Sequence, residues 1–525
     1  MHSPFRHAVA LTTALSLVGC AALPQDRAYR ETGELVQIRL GTAPSWPTDG
    51  QAAPAHVSDA ALGPADAVRL ALQQHPRVLQ AYAKLGIGHA ELDEARRIGN
   101  PSFGFARLST DGHGSAQIVR SLSLGLTDVL LLPSRKRLAA AELERLQHEV
   151  AAELLEFASE VETAWYEAAS AQQIAAMREI VAHAAEQSAA LAQRFFDAGN
   201  IHRLQLEQER AAASRARIAA VRAAADAQRA RSALAGLIGQ PLDGAWTLQA
   251  QLPEPLAVSY DPDQLVERAL QQRVDLAAAR QALALREDAL GVTRRWRWLG
   301  EVEVEYEREN EGDERLRGPA LSLQLPIFNQ GQGAVARAQA ELSEARAELD
   351  ALLLSVRNEA KLGVQQLMVA RDIAERYRTA LVPQLETIVA RSQERVNYML
   401  MGVFELILAK QEEYDAYQEY LEAVRDYWIA RAALRRVVGG ALPDDASVPA
   451  PSIGVEAILP SPEAPAMDHS HHHHGHGEAQ QSQQRDPHAE HRGHSQPPAD
   501  PAPESNEHES HEHHMHQHHE HGGTP

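Results

Sequence analysis

The chain of 525 residues contains one cysteine, Cys20, and only 5% aromatic residues. A lone cysteine excludes a disulfide bond within the chain and a zinc site built from cysteine ligands. Positive charge is also scarce, because 50 Lys and Arg stand against 71 Asp and Glu, which gives a formal net charge of −21. We therefore expect no nucleic-acid partner, since phosphate repels an acidic surface.

Long apolar runs are absent as well. After residue 20, no stretch approaches the roughly 18 consecutive apolar residues that a transmembrane helix requires. The sequence also lacks GxxxxGK[ST], HExxH and any convincing nucleophile constellation. Gly331-Gln332-Gly333 follows a predicted strand and is interpreted as a flexible turn before a helix. We therefore expect a protein that is not an enzyme and that requires no cofactor.

The amino-terminal segment has the pattern of a secretory signal. Arg6 precedes an apolar run from Ala8 to Val18, which is too short to cross a bilayer. Leu17-Val18-Gly19-Cys20 resembles the bacterial lipoprotein box, which implies that residues 1–19 are a signal peptide and that Cys20 carries acyl chains. An ordinary signal cut at Ala21 or Ala22, which would discard Cys20, stays open. Residues 20–58 are predicted to form an extended leader.

Two parts of the chain repeat one another at a distance of about two hundred residues. Ala71-Leu72-Gln73-Gln74 returns as Ala269-Leu270-Gln271-Gln272, and Leu122 to Leu126 resembles Leu321 to Leu325. Internal similarity of this kind indicates a duplication. The predicted divisions are a first repeat at 59–240, a linker at 241–262, a second repeat at 263–440, and a proline-rich linker at 441–466.

Each repeat contains a long segment that favours helix, predicted at about residues 134–198 and 333–400. Apolar residues recur there every three or four positions, in two stripes that step identically at an offset of 199. At about 1.5 Å per residue, a 65-residue helix is roughly 100 Å long, so it joins a coiled coil or lines a tube. The stripes are Leu143, Leu146, Val150, Leu154, Phe157, Val161, Trp165 and Ala168, and then Leu342, Ala345, Leu349, Leu353, Val356, Ala360, Val364 and Leu367.

Between the helices the apolar period changes to two, as in the run from Glu301 to Glu307. Strands are predicted at about 101–110, 115–126, 300–308 and 318–326. Alternating runs of about ten residues are typical of transmembrane β-strands, with apolar residues toward lipid and polar residues toward a lumen. An amphipathic sheet packed on a helix gives the same pattern, and that alternative stays open. In the membrane interpretation, the pore-lining candidates are Glu301, Glu303, Glu305 and Glu307.

Four strands cannot close a barrel, and an open edge in lipid leaves backbone groups without hydrogen bonds. The membrane interpretation therefore requires several copies of the chain. Two copies give eight strands, whose interior fills with side chains, whereas three copies give twelve strands and room for a channel. An even number of crossings also returns the carboxyl end to the periplasm, from which a lipoprotein enters the outer membrane.

The ordered set of motifs resembles the TolC family of outer-membrane efflux proteins, or outer membrane factors, in particular the members that serve heavy-metal pumps. The resemblance covers about residues 60–440. The segments that carry it are Ala65 to Leu72 with His75-Pro76, Leu265 to Leu276, Phe195 to Gly199, and Met401 to Leu406. The sequence departs from the family pattern at His75, where the family usually has Asn, and at Val274, where it usually has Pro.

The resemblance implies a mainly α fold with a small membrane β part, assembled as a homotrimer. Its 12-stranded β-barrel in the lipid of the outer membrane would continue as a periplasmic α-helical barrel. The turns at Gly199 and Gly402 would form the periplasmic tip, which docks onto a membrane fusion protein (the periplasmic adaptor) and an inner-membrane pump of the resistance-nodulation-division class. The implied function is an exit duct of a tripartite efflux system.

Residues 467–525 have almost no aliphatic side chains, so they cannot build a core. Seventeen of the 26 histidines lie between His469 and His521, and imidazole suits copper, zinc and nickel. We predict that this disordered tail binds divalent metal, and an inert solvated tail or an engineered tag stays open. The candidate ligands are His471, His472, His473, His474, His476, His511, His513, His514, His516, His518, His519 and His521.

Two rival functions stay open at this stage. One is a coiled-coil lipoprotein that only spaces the envelope, and the other is a periplasmic metal-buffering lipoprotein in which the tail is the active part. Neither has channel activity, and neither requires side chains that face lipid. The strand alternation therefore favours the duct, with heavy-metal cations as its cargo.

Overall fold

A computed structural model describes residues 27–45, 61–109, 117–249, 251–311 and 314–445, all within a unit that spans residues 1–462. Cys20 and the histidine-rich tail lie outside the described residues. The helices are α1 (Arg27–Leu40), α2 (Pro64–Gln74), α3 (Pro76–Ala95), α4 (Leu126–Asp197), α5 (Arg203–Ile238), α6 (Pro262–Gln272), α7 (Val274–Trp296), α8 (Gln332–Arg376), α9 (Val382–Asn397) and α10 (Val403–Val438), with a π-helical turn at Tyr377–Leu381 between α8 and α9. The strands are β1 (Ser102–Leu108), β2 (Gln117–Gly125), β3 (Val302–Glu311) and β4 (Glu314–Leu323).

Two long helical hairpins dominate this part of the chain. Helix α4 has 72 residues, or about 110 Å at 1.5 Å per residue, and it turns back into α5. Helices α8 and α9 turn back into α10 in the same way. Every member of the two predicted apolar stripes is buried or half-buried, and Phe157 and Trp165 are fully buried. The stripes therefore mark the packed sides of α4 and α8.

Helix α4 begins at Leu126, so the predicted start near residue 134 is wrong. Pro133 lies inside the helix rather than before it. A proline removes one backbone hydrogen bond and usually ends a helix. Here the helix has buried or half-buried positions both before and after Pro133, and packing therefore supports both segments. Leu126 directly follows the last residue of β2. The strand thus passes into the long helix without a loop.

The prediction of an extended leader at residues 20–58 is also wrong in part, because α1 lies within it. Val36 is fully buried in the main core, and Tyr29 packs edge-on against Tyr82 with ring centroids 5.6 Å apart. At the end of α1, Arg39 Nη2 donates to the backbone oxygen of Gln272 at 2.8 Å. The helix forms because residues 27–40 contain no proline and place apolar side chains against an existing core.

The four strands form one antiparallel sheet in the order β1-β2-β3-β4. Each strand pairs with the next along the chain, and β2 pairs with β3 although α4 to α7 separate them in sequence. The two hairpins of the duplication therefore join side by side into one sheet. Both β1 and β4 have one edge without a partner strand in the described part of the chain.

Strand β4 begins at Glu314, earlier than the predicted start near residue 318, so Gly318 lies inside the strand together with Pro319. The backbone N–H of Gln324 donates to Glu301 O at 2.9 Å, directly opposite in register. Antiparallel pairs alternate between hydrogen-bonded and non-hydrogen-bonded, so the Pro319 pair with Tyr306 is of the second kind. The proline nitrogen consequently points to the free edge of the sheet, where no donor is required.

The core of the helical part lies where the two halves meet. Trp165 Nε1 donates to Leu62 O at 2.9 Å, and Leu62 forms a parallel bridge with Leu248. The linker segment thus packs onto α4. His75, the residue at which the sequence departs from the family's Asn, is half-buried and caps α3, because its Nδ1 accepts from Arg77 N at 3.1 Å. This cap fulfils the role that an asparagine oxygen has at a helix start.

None of the helices in the described part of the chain combines the length and the hydropathy needed to cross a membrane.

Candidate channel wall and helical tip

The four-stranded sheet has one acidic face. Glu303, Glu305, Glu307 and Glu309 alternate along β3 and are half-buried, so they share one face of the strand. Glu301 precedes β3 and continues the same alternation. The β4 residues opposite three of them are small, namely Ser322 opposite Glu303, Ala320 opposite Glu305 and Gly318 opposite Glu307, whereas Leu316 lies opposite Glu309. We name this surface the acidic face; it holds all four pore-lining candidates and also Glu309, which the sequence analysis missed.

The opposite face of the same sheet carries apolar side chains, and apart from the buried Val302 most of them are left uncovered by the described residues. Phe103 is 69% exposed and Leu321 is 68% exposed. Their strand partners continue the surface, since Phe103 lies opposite Leu122 and Val304 opposite Leu321. The apolar face consists of Phe103, Phe105, Leu122, Leu124, Val302, Val304, Tyr306, Leu321 and Leu323, most of them exposed. Burial of such a surface in another apolar medium is strongly favourable.

Arginines continue the apolar face toward the strand ends farthest from the helices. Arg120, Arg308 and Arg317 lie directly opposite one another on β2, β3 and β4. Arg107 on β1 and Arg315 on β4 belong to the next row. All five are exposed. We name this group the arginine belt; the sequence analysis missed it, because its alignment requires the register across strands.

The two helical hairpins end in turns that lie side by side. Phe195 near the end of α4 packs edge-on against Phe404 at the start of α10, with ring centroids 6.4 Å apart. In the first turn, Gly199 has a left-handed φ of +74°, and Asn200 N donates to Phe195 O at 2.8 Å. That bond closes the helix by a Schellman-type turn. The predicted tip residues Gly199 and Gly402 therefore belong to neighbouring turns.

These two glycines nevertheless occupy different positions in their turns. The left-handed residue of the second turn is Met399, with a φ of +56°, and Leu400 N donates to Arg395 O at 2.8 Å. Gly402 is the extended residue before α10, equivalent to His202 before α5. The second turn is also more apolar, because Tyr398, Met399 and Leu400 are all exposed and Met399 is 94% exposed.

A buried ionic cluster ties α10 to the segment that follows it. Arg431 Nη1 donates to Asp444 at 3.0 Å and to the Tyr260 hydroxyl at 2.8 Å, and its Nη2 donates to Asp445 at 2.6 Å. Burial alone would raise the pKa of Asp444, but the hydrogen bonds from Tyr260 and Arg431 together hold that pKa below its ordinary value. Burial raises the pKa of nearby Glu162, although Arg435 donates to its carboxylate at 3.1 Å.

The predicted metal ligands and the lipidation site lie outside the described residues. Within the described ranges, no group of histidine and carboxylate side chains has the arrangement needed to hold a metal ion. The acidic face therefore lines a surface rather than forming a binding cage.

Solved outer-membrane channels have a similar fold. CmeC, the outer membrane channel of Campylobacter jejuni, aligns with a TM-score of 0.63 and 16% identity over 72% of this chain and 85% of that chain. CusC, solved in conformations that accompany folding and transmembrane channel formation, aligns with a TM-score of 0.62 and 16% identity, over 76% of this chain and 99% of that chain. The open state of the MtrE channel from Neisseria gonorrhoeae aligns with a TM-score of 0.59 and 16% identity, over 71% of this chain and 88% of that chain.

The sequence matches no family model, and no curated protein matches it either. Identities near 16% establish the fold alone. The prediction of a mainly α chain with a small β part is confirmed, and the fold is that of TolC-like outer-membrane channels.

Proposed function

We propose that the chain is the outer-membrane exit duct of a tripartite efflux system and works as a homotrimer. One observation carries this proposal: the same four strands present an uncovered apolar face and an acidic face. A sheet of this kind suits lipid on one side and water on the other. The long helical hairpins then extend the water-filled path from the end of the sheet at which β2 continues into α4.

The free edges of the sheet support assembly from several copies. With the order β1-β2-β3-β4, strands β1 and β4 run antiparallel and lie at opposite edges. Strand β4 of one copy can therefore pair with β1 of the next in the same antiparallel sense. Three copies close a barrel of twelve strands, which is wide enough for a channel, and closure supplies every edge with a partner.

The tip formed by the two turns is the proposed contact with a periplasmic adaptor and an inner-membrane pump of the resistance-nodulation-division class. Its exposed apolar side chains at Tyr398 and Met399 suit a protein partner. The acidic face favours cations, and we propose heavy-metal cations as the cargo. Under the same proposal, Cys20 carries the lipid anchor; a Cys20→Ala chain that kept its acyl mass would contradict this.

The tail at residues 467–525 would capture metal on the periplasmic side. Ligation requires neutral imidazole, so with an ordinary pKa of about 6.5 the binding should weaken below about pH 6. Calorimetric titration of the full chain and a chain that ends at residue 466, with copper, zinc and nickel, tests this assignment. Equal binding by the two chains would remove the role of the tail and leave the duct itself untouched.

The duct is tested by recording single-channel currents of the purified protein in a planar bilayer. We expect open channels with a preference for potassium over chloride. Replacing Glu303 and Glu305 with glutamine should move that preference toward none, because three copies lose six carboxylates from the wall. A matched control replaces the exposed helical Glu34 and Glu267 with glutamine.

The possible results of these recordings test the acidic face and the duct separately. Unchanged selectivity in the Glu303 and Glu305 variant, with normal conductance, would remove the acidic face from the channel wall. A complete absence of current from properly assembled protein would contradict the duct and favour the envelope-spacing lipoprotein. Loss of selectivity in the control variant as well would show that overall charge, and not the acidic face, sets the preference.

A further inference from the structure

The arginine belt concentrates positive charge where the sheet itself offers no compensation. Arg120 and Arg317 each lie directly opposite Arg308, and adjacent strands are only about 4.8 Å apart. Like charges directly opposite one another destabilise a sheet. Arg308 and Arg317 form a pair without backbone hydrogen bonds between them, because such pairs alternate along the strands with hydrogen-bonded pairs such as Glu301 and Gln324. Pairs of this kind bring their side chains closest.

Nothing in the described part of the chain neutralises these charges. No ion pair joins any belt arginine to a described carboxylate, and all five side chains are exposed. The glutamates of β3 at 303, 305, 307 and 309 all lie on the opposite face of the sheet. The separation of charge between the two faces is thus complete along this strand, and the belt is suited to an external anion.

The position of the belt specifies where that anion comes from. The row of Arg120, Arg308 and Arg317 directly follows the row that contains Leu122 and Tyr306. Two residues along a strand span about 7 Å, so on β3 and β4 the guanidinium groups begin where the apolar residues end, while Phe105 of β1 lies in the same row as Arg120. A long arginine side chain beside an apolar surface buries its stem and extends its charge to the polar boundary of a membrane.

We propose that the arginine belt binds phosphate groups of lipid headgroups in the leaflet at the hairpin ends of the strands. Guanidinium groups bind phosphate through paired hydrogen bonds, and three in one row offer more than one phosphate a partner at once. Phosphorylated lipid is favoured over an acidic protein because the belt borders the apolar face on the same side of the sheet. This inference rests on the proposed outer-membrane function.

The test measures binding of lipid A to the purified full-length protein in detergent by native mass spectrometry. The lipid is offered in its diphosphorylated and dephosphorylated forms, which share their acyl chains. The variant replaces Arg120, Arg308 and Arg317 with glutamine. The control replaces Arg194, Arg215 and Arg222, which are exposed helical arginines, with glutamine.

We expect the unmodified chain to bind the diphosphorylated form tighter by about a hundredfold, since each of the three arginines in the row of Arg120, Arg308 and Arg317 contributes roughly a factor of five. The belt variant should lose most of this preference, and the control should keep it. Equal affinity of the unmodified chain for both lipid forms, or equal loss in belt and control variants, would overturn the inference. So would displacement of the lipid by a polyglutamate peptide at similar concentration, which would indicate an acidic protein partner.

Conductance distinguishes this inference from the duct itself. In bilayers of phosphatidylcholine alone, both the unmodified chain and the belt variant should form channels, because the barrel does not require a phosphate monoester. Channels without any lipid A preference would refute the belt and leave the duct intact. A phosphate-dependent preference without channels would refute the duct and retain the belt as a lipid-binding surface.

Discussion

The two halves of the chain share one architecture, and between the apolar stripe and the tip their long helices differ by a single residue. The apolar stripes of α4 and α8 correspond at an offset of 199, whereas the tip residues Gly199 and Met399 correspond at 200. The second half therefore contains one extra residue between the stripe and the tip. The π-helical turn at Tyr377–Leu381 lies in that interval, and a π turn is how a helix accommodates one inserted residue.

The two halves therefore correspond both at the apolar stripe and at the tip, although the number of residues between stripe and tip differs by one. The insertion is absorbed locally, so α5 and α10 both have 36 residues and both end at a glycine with left-handed φ, Gly239 and Gly439. Pro383 lies two residues after the π segment, and the wider π turn leaves room for a ring that would clash in an α-helix. The first half has no such relief and remains a continuous α-helix.

Deleting one residue from each long helix should give the largest difference between the halves. Deletion of Ile180 rotates everything from there to the first tip by about 100° and exposes buried Val181, Ala185 and Ala192. We expect this chain to fail to assemble. Deletion of Thr379 combined with Pro383→Ala should convert the π turn to α-helix and leave assembly intact. Chemical cross-linking in detergent and circular dichroism measure both. Equal failure of the two deletions would show that the π turn is not the site of the insertion.

The next effect concerns two arginines that correspond at an offset of 200. Arg431 is bound to two carboxylates, whereas Arg231 Nη2 donates to the neutral backbone oxygen of Trp246 at 2.7 Å. Breaking a buried ion pair costs about 3 kcal/mol, and losing a charged hydrogen bond to a carbonyl costs about 2 kcal/mol. We expect Arg431→Gln to destabilise more than Arg231→Gln in urea unfolding at neutral pH.

Acid should distinguish these two variants further. The pKa of Asp444 is lowered in the folded chain, so its pairing stabilises the fold above an ordinary aspartate pKa of about 3.9 and is lost as pH falls through the lowered value. The deficit of Arg431→Gln should therefore shrink in acid. The deficit of Arg231→Gln should stay constant, because a carbonyl does not titrate. A constant deficit for both would contradict the assigned role of Asp444.

The smallest effect lies at the tips, where equivalent residues should respond with opposite sign. Gly199→Val places a β-branched residue at left-handed φ, which costs about 1–2 kcal/mol. Met399→Gly relieves the same strain and should stabilise by up to about 1 kcal/mol. Thermal unfolding in detergent measures both, and Gly402→Ala serves as a control because that residue has an ordinary φ. A loss of stability in Met399→Gly would show that side-chain contacts of Met399 outweigh its backbone strain.

Periodicity predicted the parts of this structure that depend on local spacing. The stripes identified the packed sides of α4 and α8, and the alternation around Val304 identified the two faces of the sheet. Residue-type rules failed where packing overrode them. The long helix begins before Pro133 and not after it, and the left-handed position of the second tip is occupied by Met399 and not by a glycine. The arginine belt was beyond reach, since it arises from register between strands far apart in sequence.

Pro319 has a consequence for the chain before it reaches its partners. Under the proposed trimeric assembly, a copy that has not yet met its partners presents the edge of β4 to other unassembled chains, and open edges template aggregation. The Pro319 nitrogen faces that edge and offers no hydrogen. Any strand that approaches must therefore accept a gap in its ladder. In the proposed trimer, β1 of the next copy pairs in a fixed register and two further junctions between copies close, which together offset the missing hydrogen bond. An unrelated strand offers no such compensation.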